Sequence, residues 1–276
     1  MTKQDIEVKI AETRDELEAC FKLLHDEYVG SGFMQPDHSG MRTTLHHALP
    51  TTVTICAKVG NEVVATVTLI KKASLPLPME AIVDIDSIID TSECSVAEVS
   101  ALAAHPRFRK TCGAVFFPLT RFLFKYCVQV MDIRHLMIAV NPNHIATYES
   151  LLFFERLPGG AVNNYDFANG APAIVATLDL REASEKFKNA YHHRTQRRNL
   201  HQYFMGDLCE ENRVFKADSI DRQVPLMPPG ILDYFFNERT AIFRSLDEKT
   251  KHLLHDIYCF PEYKQVLPEM TLGVAT

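Results

Sequence analysis

The chain has 276 residues, 46% of them hydrophobic, enough to bury the core of one large domain or of a domain with an extension. A formal charge of −6 argues against nucleic acid as a bulk electrostatic partner. No apolar run approaches the roughly 18 residues of a membrane span, and MTKQDIEVKI lacks the basic-then-apolar order of a signal peptide, so a cytoplasmic protein is expected. The seven cysteines (Cys20, Cys56, Cys94, Cys112, Cys127, Cys209 and Cys259) include no CxxC pair and read as free thiols rather than a disulfide framework or a zinc site.

Residues 6–10 alternate as a short strand, and Thr13-Arg14-Asp15-Glu16 opens a helix whose apolar stripe is Leu17, Phe21, Leu24 and Tyr28. Gly30, Gly32 and Pro36 end it, and residues 31–50 form a polar connection too long for a turn, of the kind that lines a site. The β-branched runs 51–58 and 62–72, either side of Val59-Gly60-Asn61, predict a hairpin. Residues 74–90, with Leu75-Pro76-Leu77-Pro78 and the acidic Glu80, Asp84, Asp86 and Asp90, read as a crossing segment rather than a strand.

Residues 97–103 suit a strand in which Glu98, Ser100 and Leu102 share a face. Pro106 stops it, and Arg107, Arg109 and Lys110 make a basic loop. Val115, Phe116, Leu119, Phe122, Leu123, Tyr126 and Val130 then recur at helical spacing from a start near Gly113, which puts Pro118 near the first turn. Residues 135–140 are an apolar strand, ended by Asn141-Pro142 and followed by a short helix through Tyr148 and Leu152. Gly159-Gly160 and Asn163-Asn164 mark turns, and 173–180 is the last strand. From Arg181 the composition shifts to charged helix formers, with further helices over 231–243 and 247–258. The pattern is an α/β fold on a mixed sheet, residues 1–180, with a helical C-terminal extension, residues 181–276, packed on it.

A strand carboxylate, a basic loop before a helix N-terminus and a tyrosine after the next strand together suit acyl transfer to an amine. Glu98 can take a proton from the nucleophile, directly or through water, and the phenol of Tyr148 can give one to a departing thiolate. Backbone N–H groups at the start of the 113 helix, around Gly113 and Ala114, can hold a phosphate with help from Arg107, Arg109 and Lys110. Plainer readings stand beside these. Glu98 also suits a salt-bridged core carboxylate, Ser100 a locally bonded strand hydroxyl rather than a substrate contact, and Tyr148 equally a core aromatic. Three cations ahead of a helix N-terminus oppose its dipole unless an anion sits there, which favours an anion site. The cluster Lys186, Lys188, His192, His193, Arg194, Arg197 and Arg198 reads as a solvated face or as a docking patch for an acidic protein. His46-His47, His192-His193 and His252 with His255 lack the convergent ligands a metal needs, so no metal is expected. Phe33, Met34, Met41, Phe116, Phe117, Phe122 and Phe124 read as core before they read as an acyl tunnel.

These residues resemble the Gcn5-related N-acetyltransferase superfamily, whose phosphopantetheine loop has the form R/Q-x-x-G-x-G/A. Arg109-Lys110-Thr111-Cys112-Gly113-Ala114 keeps the basic and the final small residue, with Cys112 in place of the first glycine. Within it the chain resembles the long-chain N-acyl amino acid synthases, relatives of the acyl-homoserine lactone synthases. The likeness lies in Leu75-Pro76-Leu77-Pro78-Met79-Glu80, in 97–103 with Ala101 where those relatives usually carry arginine, and in Asn141-Pro142-Asn143-His144 followed by a Tyr148 helix with Phe153 for a common glycine. The resemblance implies an acyl-CoA N-acyltransferase-like fold and a donor carried as the acyl-phosphopantetheine of acyl carrier protein. It also implies an amino acid or similar amine as acceptor, an N-acyl amino acid as product, and no tightly bound cofactor. Catalysis would fall to Glu98, Tyr148 and Ser100, and phosphate binding to Arg107, Arg109, Lys110, Cys112, Gly113 and Ala114. A loop with fewer glycines gives less room for close backbone approach, which fits the single phosphate of carrier protein better than coenzyme A. Acetyl transfer from coenzyme A, and a non-catalytic module that binds acyl carrier or lipid, are the alternatives.

Overall fold

Seven strands form one sheet in the order β1-β2-β3-β4-β5-β7-β6, seen in a computed structural model that describes residues 6–206 and 225–270, without the side chains of residues 109–112 and 197. The first half is an antiparallel meander of β1 (Ile6–Ile10), β2 (Thr52–Val59), β3 (Glu62–Lys71) and β4 (Val96–Ala104). The expected hairpin turns on Gly60, at φ +60°, between β2 and β3. Next come β5 (His135–Val140), the edge strand β6 (Glu155–Tyr165) and β7 (Ala171–Asp179). Among the described residues only β4 and β5 pair in parallel, and α2 (Cys112–Gln129) makes their crossover.

Helix α1 (Arg14–Gly30) starts where Thr13 accepts the Glu16 N–H at 3.2 Å, and its buried stripe of Leu17, Phe21 and Leu24 packs one face of the sheet. Val115, Leu119 and Leu123 of α2 pack the other face, joined by α3 (Pro142–Leu152), α4 (Leu180–Tyr191) and α5 (Leu200–Met205). Residues 225–270 return to the α1 face. There α6 (Pro229–Asp233), a wide turn over Tyr234–Arg239 and α7 (Glu248–Ile257) bury Leu232, Phe235, Phe236 and Leu254 against α1, and the Tyr258 hydroxyl donates to the Ala48 carbonyl at 2.5 Å.

Four local expectations need correction. Leu102 does not share a face with Glu98 and Ser100: Ala101 sits at φ +51° in a bulge opposite β3, and the extra residue turns Leu102 to the α2 face beside Ala97 and Val99. Pro118 lies in the second turn of α2, because the helix begins at Cys112; the Ala114 carbonyl loses its usual donor, while the Thr120 hydroxyl bonds the Phe116 carbonyl at 2.8 Å. Gly159-Gly160 and Asn163-Asn164 are bulges within β6 rather than turns, since its pairing with β7 jumps between Arg156 and Ala161 and again between Val162 and Tyr165. A Cβ at Gly160 would meet the Leu157 carbonyl and Val175 at 3.1 Å, so glycine is needed there for strand contact. The helix expected over 231–243 breaks at Thr240, which is extended, leaving α6, the wide turn and a single turn over Ile242–Ser245.

Candidate active site

The parallel strands β4 and β5 separate at their C-terminal ends. Pairing runs from Val96 opposite His135 to Val99 opposite Ile138 and then stops. Beyond that point β4 stays with β3 through Ala104 opposite Ala65, and β5 stays with β7 through Val140 opposite Ile174. The bulge at Ala101 bends β4 away just past the last pair. Each strand is followed by a helix, α2 after the Pro106–Thr111 turn and α3 after Asn141, whose side chain accepts the Asn143 N–H at 3.0 Å. Two helix N-termini therefore follow the strand ends at which α/β folds collect ligands.

Glu98 lies one residue before the last β4–β5 pair, on the α1 side, and is 2% exposed. Its Oε2 accepts the Met79 N–H at 3.0 Å. Burial raises the carboxyl to about 8, the Met79 N–H opposes that rise, and the charge on Glu80 adds to it. The Leu-Pro segment supplies this partner. Glu80 accepts the Leu77 N–H at 2.6 Å and pairs with Lys72, which also reaches Asp86 at 3.3 Å, so the Pro78–Ala81 turn is held from both ends. A carboxyl tuned to about 8 and kept from bulk water can exchange a proton with an amine near neutral pH.

Ser100 lies on the same face as Glu98, buried and opposite Thr68 of β3, and its hydroxyl makes no hydrogen bond among the described residues. Tyr148 is on α3, packed edge-on to Phe154 at 6.0 Å in the cluster on the α2 face. Glu98 and Tyr148 thus lie on opposite faces of the sheet. Gly113 and Ala114 are exposed in the first turn of α2, and a Cβ on Gly113 would meet the Phe117 ring at 3.3 Å. Arg107 turns away to Glu62 of β3, Nη2 to Oε2 2.6 Å, and stacks on Phe108 at 5.0 Å. The side chains of Arg109, Lys110 and Cys112 lie outside the described residues, as does that of Arg197.

The loop after α1 contributes a group that residue patterns did not single out. Arg42, 9% exposed, lies between aromatic faces, its guanidinium carbon 4.4 Å from the Tyr28 ring centre and 4.7 Å from that of Phe167, and Nη2 donates to the Phe167 carbonyl at 2.7 Å. Burial lowers its pKa, while Tyr28 and Tyr165 counter that. The length of the 31–50 connection was the signal for such a residue, but nothing in it distinguished Arg42 from a solvated arginine. His47, buried, accepts the Thr44 N–H through Nδ1 at 3.1 Å and meets the Thr68 hydroxyl through Nε2 at 3.4 Å; burial pushes it down to about 3, so it is neutral.

The remaining residues singled out by pattern settle into the fold's framework. Met41 is core, Phe33 meets Tyr28 edge-on, Phe117 packs on Tyr203, and Phe124 on Phe204. Lys186 pairs with Glu155 at 2.6 Å and Glu182 at 3.1 Å, whereas Lys188, Arg194 and Arg198 are exposed. Cys20, Cys56, Cys94, Cys127 and Cys259 are free thiols, and Cys209 lies outside the described residues. Among the described residues no group of three or more His, Cys, Asp and Glu could hold a metal ion, and no helix is long and apolar enough to cross a membrane.

The family model of the N-acyl amino acid synthase FeeM matches residues 19–179. The chain belongs to that family. As a FeeM family member it is an N-acyltransferase. Among solved structures it is similar to FeeM, an N-acyl amino acid synthase from uncultured soil microbes, at 23% identity over 66% of this chain and 94% of that one, with TM-score 0.56. It is also similar to the coenzyme A-dependent acyl-homoserine lactone synthase BjaI, at 20% identity over 67% and 88% with TM-score 0.48. The acyl-homoserine lactone synthase LasI matches at 15% identity over 64% and 91%, again with TM-score 0.48. No curated protein sequence matches the chain. The acyl-CoA N-acyltransferase-like fold expected from the motifs is the one observed.

Proposed function

We propose that this FeeM family member moves a medium or long acyl chain from the phosphopantetheine thioester of acyl carrier protein to the amino group of an amino acid. Glu98 carries the reading: a carboxyl buried beside the strand opening and tuned to about 8 suits the removal of a proton from an ammonium nucleophile. Glu98 passes the proton taken from the ammonium to solvent; the freed amine attacks the thioester carbonyl, the C–N bond forms as the C–S bond breaks, and the second proton on nitrogen passes to the regenerated Glu98 carboxylate directly or through water. The phenol of Tyr148, on the α2 face, gives its proton to the leaving thiolate, and solvent restores both groups. The first turn of α2, with Gly113 and Ala114, Arg109, Lys110 and Cys112, is the seat for the pantetheine phosphate. Arg107 is already paired with Glu62, which leaves less positive charge for a pyrophosphate and supports the single-phosphate donor. The exposed Lys188, Arg194 and Arg198 offer an acidic carrier an electrostatic footing.

Incubation of the full chain with acylated carrier proteins of several chain lengths and with the common amino acids tests the proposal, with N-acyl products read by mass. Product with carrier-bound donors and not with the same acyl groups on coenzyme A is the expected result. Product from coenzyme A alone assigns the donor differently, and binding of acylated carrier without turnover with any acceptor overturns the catalytic reading.

A further inference from the structure

Arg42 is a buried cation with no carboxylate partner among the described residues. Charges taken out of water are ordinarily paired, because the desolvation cost otherwise stands uncompensated. Here two aromatic faces and one backbone carbonyl are the partners, and a guanidinium has five N–H groups in a fork suited to a carboxylate. The position is tightly fixed. The Arg42 N–H donates to the Phe21 carbonyl at 3.0 Å, and Asn169 Nδ2 ties the turn after β6 to the Gly32 carbonyl at 3.1 Å.

A second unsatisfied group lies beside it. Tyr165, at the end of β6, is 4% exposed and its hydroxyl has no hydrogen-bond partner among the described residues. Its ring packs on Phe167 at 5.9 Å, the same ring that covers Arg42. Burial raises its pKa, the charges on Glu98 and Tyr28 add to that, and the charge on Arg42 opposes it. Met41, next to Arg42, packs in one cluster with Ala101 and Ala103, on the face of β4 that carries Glu98. A buried cation and a buried hydroxyl with no partner among the described residues therefore share the Phe167 ring, from a loop and a strand far apart in sequence, and the loop packs on the face of β4 that carries Glu98.

We propose that Arg42 and Tyr165 are the seat of the acceptor's α-carboxylate, so that the site selects α-amino acids over simple amines; this rests on the acyl-transfer reading above. An α-amino acid holds its amine two bonds from its carboxylate carbon. Once the carboxylate is forked on Arg42 and bonded by the Tyr165 hydroxyl, the amine is confined to the neighbourhood of Glu98. The arrangement uses the donors that the fold leaves unmatched, and rejects a plain amine because the buried cation then stays unpaired.

The test has two arms, both on the full chain. In the first, kcat/KM is compared for phenylalanine and phenethylamine, and for alanine and ethylamine, with dodecanoyl carrier protein as donor. The acids are expected to win by about 100-fold, the preference to fall about tenfold in Tyr165→Phe and nearly to vanish in Arg42→Gln, with the KM for donor unchanged. In the second, equilibrium binding of N-dodecanoyl-phenylalanine and N-dodecanoyl-alanine is compared with that of their carboxamides, which needs no turnover. Tighter binding of the acids, lost in the same two variants, is the expected result. Tyr165→Phe removes only a hydroxyl that bonds nothing among the described residues, so it folds even if Arg42→Gln does not. If the acids bind selectively but no acyl transfer occurs, the catalytic reading falls and the carboxylate seat stands. If transfer occurs without preference for the acids, or if binding shows no acid-over-amide difference, the seat is overturned.

Discussion

Replacing Glu98 by Gln separates the carboxyl's chemistry from its place in the fold. Burial raises this group from 4.5 to about 8. Between those values the unfolded chain releases the Glu98 proton while the folded chain keeps it, so stability falls as pH rises. At about 1.4 kcal/mol per unit the loss reaches roughly 5 kcal/mol near pH 8 and then levels off, as the folded carboxyl ionises too. Gln carries no charge and its carbonyl oxygen still accepts the Met79 N–H, although its unpartnered amide hydrogens cost about 1–3 kcal/mol. The variant is therefore expected to match or fall below the wild type near pH 5, and to exceed it by on the order of 2–4 kcal/mol near pH 8. Urea unfolding at a series of pH values reads this directly. In parallel, the wild-type kcat/KM is expected to rise with pH through the value near 8, and Glu98→Gln to lose that limb along with roughly 10²–10⁴-fold in rate. A stability difference that stays flat across the range refutes the burial argument. A variant with wild-type rates and an unchanged pH profile removes Glu98 from proton transfer.

Ala101 sits at φ +51°, where a side chain is strained, so Ala101→Gly is expected to raise stability by about 0.5–1 kcal/mol and Ala101→Val to lower it by more than 1, both measured by denaturant melts. Glu16 is nearly buried between Lys9 at 3.0 Å and Lys58 at 2.9 Å. Burial alone would raise its carboxyl, but the hydrogen bonds from Lys58 and Lys9 bring it down to about 2; its stabilisation is full above 4.5 and lost as pH falls toward 2. Glu16→Gln should then cost on the order of 2 kcal/mol at neutral pH and far less near pH 2.5, and an equal cost at both would show that the ion pairs are not the source. Phe235→Ala, at a fully buried position where the ring meets Phe21 edge-on at 5.1 Å, is expected to cost about 3–5 kcal/mol in thermal or urea unfolding.

Period-2 and 3.6-residue patterning placed β1 to β5, β7, α1, α2 and α3 close to where they lie, because each buries one face against a single neighbour. Strand β6 was missed for a physical reason: two glycines and two asparagines read locally as turns, yet β7 beside them absorbs the irregularity as bulges. Leu102 shows the same limit, since one residue at positive φ reverses every face assignment after it.

Residue types and motif order by themselves determined the chemistry to look for, a carboxylate on a strand, a basic turn into a helix and a tyrosine beyond the next strand, because those are local patterns. They also determined the family's fold. Only the tertiary structure decided what each group meets. It buried Glu98 under the Met79 N–H, parted β4 from β5, spent Arg107 on Glu62, and carried Arg42 and Tyr165 to one aromatic ring at Phe167. Burial and long-range juxtaposition set the charge state of a side chain, and neither is a property of its neighbours in sequence.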